Sequence, residues 1–168
     1  MGAGKSYLGK QIAERLSMEF LDTDSLIEAK EQRTISSIFE TDGEDVFRQM
    51  EKDCLGQLIE KQTDCVIATG GGLPCFHNNA ERMRRSGLVI HLQAGAELLC
   101  QNLLEEMDQR PLLTGKKSDL ASFLCKQYEE RAPFYEKAHI FIHLKSRDTG
   151  TESLIRRLYP FFQNNEYS

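Results

Sequence analysis

Apolar and polar residues along this chain alternate with two periods, one suited to helices and one to strands. After Lys5-Ser6, Leu8, Ile12 and Leu16 recur every four residues, which predicts a helix with one buried stripe. Glu19–Asp22 reads as a short strand ending in carboxylates. Thr34 is placed to N-cap a helix over Ile35–Phe39. A longer helix follows Asp42-Gly43 and is expected to bury Val46, Phe47, Met50, Leu55 and Leu58 or Ile59. Cys65–Thr69 and Leu88–Leu92 are short apolar runs of strand type, and Ile140–Leu144 is a third. Helices are expected over Ala96–Leu104 and Ser153–Tyr159, and Pro133 should end or kink a helix. Met107–Ala121 lacks apolar periodicity and reads as an excursion from the core.

Strands alternating with helices predict βαβ units, and so an α/β fold around a parallel sheet in one domain, 1–168. Ligands in such folds bind beyond the carboxyl ends of the strands. That rule gathers Gly4–Ser6, Asp22–Asp24 and Gly70–Gly72 onto one edge.

Composition narrows the function classes. The 168 residues are 40% hydrophobic and 28% charged, ordinary for a globular domain, with a net charge of −5. The basic clusters at Arg82–Arg85 and Arg156-Arg157 are short, which argues against nucleic acid as a partner. No apolar run reaches the roughly 20 residues of a membrane span and no signal segment opens the chain, so the cytoplasm is the expected compartment. Five scattered cysteines without a C-x-x-C predict reduced structural thiols, with Cys65 in the core and Cys75, near the glycine run, the one that could be accessible. His139 and His143 flank a strand, which puts them about 13 Å apart, too far to share one ion. All four histidines are read as structural.

Candidate chemistry begins at the N-terminus. Gly2-Ala3-Gly4-Lys5-Ser6 matches the second half of G-x-x-x-x-G-K-[ST], a loop whose N–H groups cradle phosphates. A phosphate there would sit on the first helix, where free N–H groups and the helix dipole favour anions. Asp22 and Asp24, two apart at a strand end, suit a Mg²⁺ shell and a proton acceptor; alternatively Asp24 is an N-cap. Arg48, with Glu44 and Glu51 one turn away, is either a surface ion pair or a fork aimed at a substrate carboxylate. Gly70-Gly71-Gly72 permits close backbone approach to a ligand or forms a tight turn. Arg110, in the excursion, could close over phosphates or be an ordinary loop residue, and Arg131 could face the cleft or cap a helix.

These pieces together resemble shikimate kinase. The resemblance runs through Gly2–Ser6, Leu21–Asp24, Ile38-Phe39, Gly43-Glu44, Phe47-Arg48, Glu51, Gly70–Gly72, Arg110–Leu113 and Arg131–Tyr135. It implies ATP-dependent phosphorylation of the 3-hydroxyl of shikimate, in aromatic amino-acid biosynthesis. It implies a three-layer P-loop kinase with a five-stranded parallel sheet, a substrate-binding segment matching 24–57 and a lid matching 107–121. Asp24, Arg48, Gly70, Gly71, Gly72 and Arg131 would hold shikimate, with the arginines on its carboxylate and Asp24 on the reacting hydroxyl. Gly2, Ala3, Gly4, Lys5, Ser6, Tyr7 and Arg110 would hold ATP, Lys5 and Arg110 neutralising the transferring phosphate. Ser6 and Asp22 would organise Mg²⁺, and the family is usually monomeric.

Two departures carry expectations. The family's phosphate loop follows a central strand lying between those matched by Cys65–Thr69 and Leu88–Leu92. Its absence here leaves two interior edges without partners and predicts a natural product about ten residues longer, with Met1 internal to it. Members often carry an Arg near the adenine where this chain has Cys100-Gln101-Asn102, which leaves base preference open. The alternatives are another P-loop small-molecule kinase of gluconate-kinase type, or a non-catalytic relative that binds a metabolite or partner.

Overall fold

The computed structural model describes residues 3–95, 99, 120–144, 154–158 and 160. Helix α1 spans Lys5–Leu16, strand β1 Glu19–Asp22, and α2 Thr23–Glu31. Next come α3 (Ile35–Thr41), α4 (Glu44–Glu60), β2 (Cys65–Ala68), a 3₁₀ turn over Leu73–Cys75 and α5 (Asn79–Ser86). Strand β3 is Ile90–Ala94, α6 is Leu120–Tyr135 and β4 is Ile140–Leu144; residues 154–158 are also helical. Most of the expected 107–121 lid, with Arg110, and of the helix expected over 96–104 lies outside the described residues, as do Gly2 and Cys100.

All strand pairing is parallel, as the alternation requires. β1 pairs β2 with Glu19 opposite Cys65, and β3 pairs β4 with Ile90 opposite Ile140. The two pairs form separate sheets, and among the described residues β2 and β3 do not bond to each other. Helix α1 spans the division. It packs on β1 and β2, while Leu8 and Ile12 share a core with Ile140, Ile142 and Leu144 of β4. Val66 from β2 and Ile90 and Leu92 from β3 close onto the same cluster.

A second small core, Ile27, Ile38 and Phe47, joins α2, α3 and α4 into one unit. Thr34 does cap α3, its hydroxyl accepting from the Ser37 N–H at 3.2 Å. Helix α4 turns differently from expectation. Val46 is 42% exposed, because the buried line runs through Phe47, Glu51, Leu55 and Leu58, and Val46 sits one residue off that phase.

Pro133 does not end α6, which continues to Tyr135. It lies in the last turn, where only one internal bond is forfeited, and the Glu136 N–H closes on Ala132 O at 2.9 Å. Strand β3 starts two residues later than expected, since Val89 O accepts from both His139 and Ile140 at its entry. His139 Nδ1 in turn accepts from the Val89 N–H at 3.0 Å. Cys65 is half-buried at the start of β2, outside the core. Among the described residues no helix is long and apolar enough to cross a membrane.

Candidate active site

The Gly4-Lys5-Ser6 stretch opens α1 as its sequence requires. Gly4 is the N-cap, at φ 71° and ψ 25°, a left-handed conformation that suits a residue without Cβ. Its carbonyl accepts from the Leu8 N–H at 2.9 Å, which starts the helix at Lys5. The helix N-terminus therefore faces the carboxyl edge of the strands, with Ala3, Gly4 and Lys5 half-buried and Ser6 and Tyr7 exposed.

Ser6 is tied to the end of β1: its hydroxyl donates to Asp22 Oδ2 at 2.6 Å. The other oxygen, Asp22 Oδ1, accepts from the Asp24 N–H at 3.1 Å and makes Asp22 the N-cap of α2. This corrects the alternative in which Asp24 caps. It also replaces the strand-periodicity argument, since Asp24 already lies in the first turn of α2. A helix turn, not a pleat, brings the two acids onto one edge.

Arg48 is 6% exposed and far from being a surface ion pair. Its Nη1 donates to Glu51 Oε2 at 2.7 Å, and its Nη2 and Nε donate to Glu44 Oε1 at 2.7 and 3.1 Å. The partners differ: the Glu44 side chain is 55% exposed and that of Glu51 only 1%. Burial works against the Arg48 charge, but the bonds and charges of Glu51 and Glu44 outweigh it and raise its pKa. Burial also pushes the Glu51 carboxyl above the usual range against the pull of Arg48, and the Asp24 charge adds to the rise.

The glycines fit around these groups. A Cβ on Gly72 would lie 2.6 and 2.8 Å from the Arg48 Nη atoms, and one on Gly70 2.9 Å from both Asp24 Oδ1 and Glu51 Oε1. Close approach is what the glycines permit here. The Gly70 N–H donates to the hydroxyl of fully buried Thr23 at 3.2 Å, and Gly71 O accepts from Tyr135 at 2.7 Å. Tyr135 thus ties α6, and Arg131 one turn earlier, to the glycine run. The charge of Arg131 is felt at Glu51, Cys75 and Tyr135. Lys5, Gly70, Gly71 and Arg131 border one cavity of about 130 Å³.

The structure therefore brings together Lys5, Ser6, Asp22, Asp24, Arg48, Gly70–Gly72 and Arg131. Sequence reasoning named Glu51 as a neighbour of Arg48 but missed two supports, Thr23 and Tyr135, although both lay inside stretches that carry the resemblance. Cys75 is half-buried, and burial raises its thiol pKa.

A helix N-terminus carrying Lys and Ser, linked to a strand-end Asp at the carboxyl edge of parallel strands, defines a P-loop kinase. The family model described as shikimate kinase matches residues 1–159. A shikimate kinase of Azobacteroides pseudotrichonymphae is 39% identical over 161 residues, covering 95% of this chain and 94% of its own length. The crystal structure of shikimate kinase from Bacteroides thetaiotaomicron superposes with a TM-score of 0.84 at 34% identity, covering 97% of this chain and 94% of that one. Shikimate kinase from Acinetobacter baumannii, solved in complex with shikimate, gives 0.82 at 33% identity over 100% of this chain and 91% of that one. The chain belongs to the shikimate kinase family.

Proposed function

We propose that this chain transfers the γ-phosphoryl group of ATP to the 3-hydroxyl of shikimate, giving shikimate 3-phosphate and ADP. The observation that carries this reading is the buried, charge-paired Arg48 lying against the Gly70–Gly72 backbone beside Asp24. Shikimate is a small carboxylate with several hydroxyls. Such a ligand needs a planar cation, an acceptor and bare backbone at close quarters, and all three are assembled here.

In this reading Arg48 and Arg131 take the substrate carboxylate, and Gly70–Gly72 present backbone to the ring. Asp24 accepts the hydroxyl proton as the oxygen attacks the γ-phosphorus and the bond to ADP breaks. Gly2, Ala3, Gly4, Ser6 and Tyr7 form the phosphate loop, while Lys5 and Arg110 neutralise charge on the transferring group.

The donor set at Ser6 and Asp22 fits Mg²⁺: two hard oxygens 2.6 Å apart, at a place where phosphate oxygens and water would complete the shell. When bound, Mg²⁺ would offset phosphate charge. The same reading makes the protein a cytoplasmic monomer.

The test is shikimate-dependent ADP release, run beside gluconate and beside calorimetric titration with shikimate. Saturable turnover with shikimate alone is expected. Turnover of gluconate in its place, or binding without turnover, would overturn the assignment.

A further inference from the structure

The segment joining the glycine run to α5 is built around one exposed aromatic residue. Leu73 and Asn79, at its two ends, are fully buried, and the Asn79 amide donates to Leu73 O at 3.1 Å. The Asn79 N–H donates to Phe76 O at 2.9 Å, and Arg82 holds the Asn79 side-chain oxygen at 3.0 Å. Between them His77 and Asn78 are both left-handed, at φ 51° and 57°. Two consecutive non-glycine residues in that region are costly and persist only where the surroundings enforce them.

This clasp holds Phe76 outward. The residue is 37% exposed, yet its ring centroid lies 4.4 Å from the Arg48 guanidinium carbon. Phe47 and Phe39 lie farther from that carbon, at 5.4 and 5.9 Å. The contact is well inside cation–π range. The ion pairs to Glu44 and Glu51 hold the edges of the guanidinium, and among the described residues the Phe76 ring is its nearest aromatic contact.

We propose that Phe76 is a positioning residue for the anionic end of the substrate, its ring fixing the Arg48 guanidinium and shielding it from water. For the substrate this rests on the reading of the site given above. The coupling of Phe76 to Arg48 does not.

The experiment compares Phe76→Ala, Phe76→Leu and Phe76→Tyr. In steady-state assays Phe76→Ala should raise the KM for shikimate about fivefold to tenfold. Its kcat and its KM for ATP should stay within about twofold of the parent, because the ring packs on Arg48 and not on the phosphate loop. Tyrosine keeps a π face and should restore the parent KM; leucine keeps apolar bulk alone and should not. In parallel, NMR reads hydrogen exchange at the Arg48 Nε–H without substrate, where alanine should speed exchange about tenfold and tyrosine should not. Unchanged exchange in Phe76→Ala, or leucine restoring KM as fully as tyrosine, overturns the proposal. An unmodified chain that neither binds nor turns over shikimate sinks the functional reading, and the exchange measurement then still decides whether Phe76 positions Arg48.

Discussion

The two halves of the candidate site are made of different materials. On the phosphate side, residues 3–7, the binding elements are a helix N-terminus and exposed or half-buried groups, with Ser6 tied to Asp22. On the substrate side the Arg48–Glu51 ion pair is almost wholly buried, with Gly70 and Gly72 packed against it and its acid neighbours. The reason is electrostatic. A helix N-terminus offers partial charge from backbone that is already ordered, so it needs no counter-ion before ATP arrives. A guanidinium taken out of water needs one, and Glu51 and Glu44 supply it. The phosphate side can wait open, whereas the substrate side must be pre-paired.

If that contrast is right, the largest effect comes from removing charge where it develops during reaction. Lys5→Met should lower kcat by about 10²–10³-fold while leaving shikimate affinity within about twofold. Stopped-time ADP assays and shikimate titration on the same preparation measure both. A variant that turns over normally would take Lys5 out of its role.

Arg48→Lys breaks the other half. A lysine point charge cannot donate along two edges at once to Glu44 and Glu51, so the pre-paired plane is lost. The KM for shikimate should rise by about 10- to 100-fold, with ATP affinity little changed. Unaltered shikimate affinity would mean that the buried fork is structural and the carboxylate binds elsewhere.

How much of this was legible in the sequence follows the same division. On the phosphate side the start of α1 at Lys5 and its buried stripe through Leu8 and Ile12 were legible, because loop and helix are local and their signals contiguous. The four strands and the α3 cap were local in the same way. On the substrate side, spacing alone allowed Arg48 to be an exposed pair, and only the family resemblance favoured the fork. Its burial depends on Gly72, 24 positions along the chain, and no single-segment pattern encodes such a contact. The Asp24 cap fails because α2 starts at Thr23, directly after the strand, so the cap position falls on Asp22. Val46 was misjudged because an apolar residue one position off the buried line looks the same as one on it.

Two glycines sharpen the comparison, since each side should use its glycine for a different reason. Gly72 has an ordinary right-handed backbone at φ −85°, so Gly72→Ala adds only a methyl group, and that methyl meets the Arg48 guanidinium. It should raise the KM for shikimate about tenfold and cost about 1–3 kcal/mol of stability through overpacking. Gly4 has open space where a Cβ would go, but a left-handed backbone at φ 71°. Gly4→Ala should cost about 1–2 kcal/mol through conformation alone and leave shikimate affinity intact. Urea midpoints with shikimate titrations distinguish the pair. Equal effects on affinity would dissolve the distinction between the two sides.

The smallest effect is a pH dependence seated in Glu51. Its carboxyl pKa is raised above 4.5, chiefly by burial, so the folded chain holds that proton more tightly than the unfolded chain does. The stability this contributes is fully present below the unfolded value and is lost as pH rises through the raised folded value. Glu51→Gln has no such titration and should therefore gain on the parent as pH is raised from about 4 upward, beginning near the ordinary glutamate range. Denaturant midpoints of both proteins across that interval cancel every other titrating group they share. A parent that instead gains on the glutamine variant with rising pH would show that the Arg48 pair outweighs burial. The substrate side would then be stabilised by its ion pair, not merely neutralised by it.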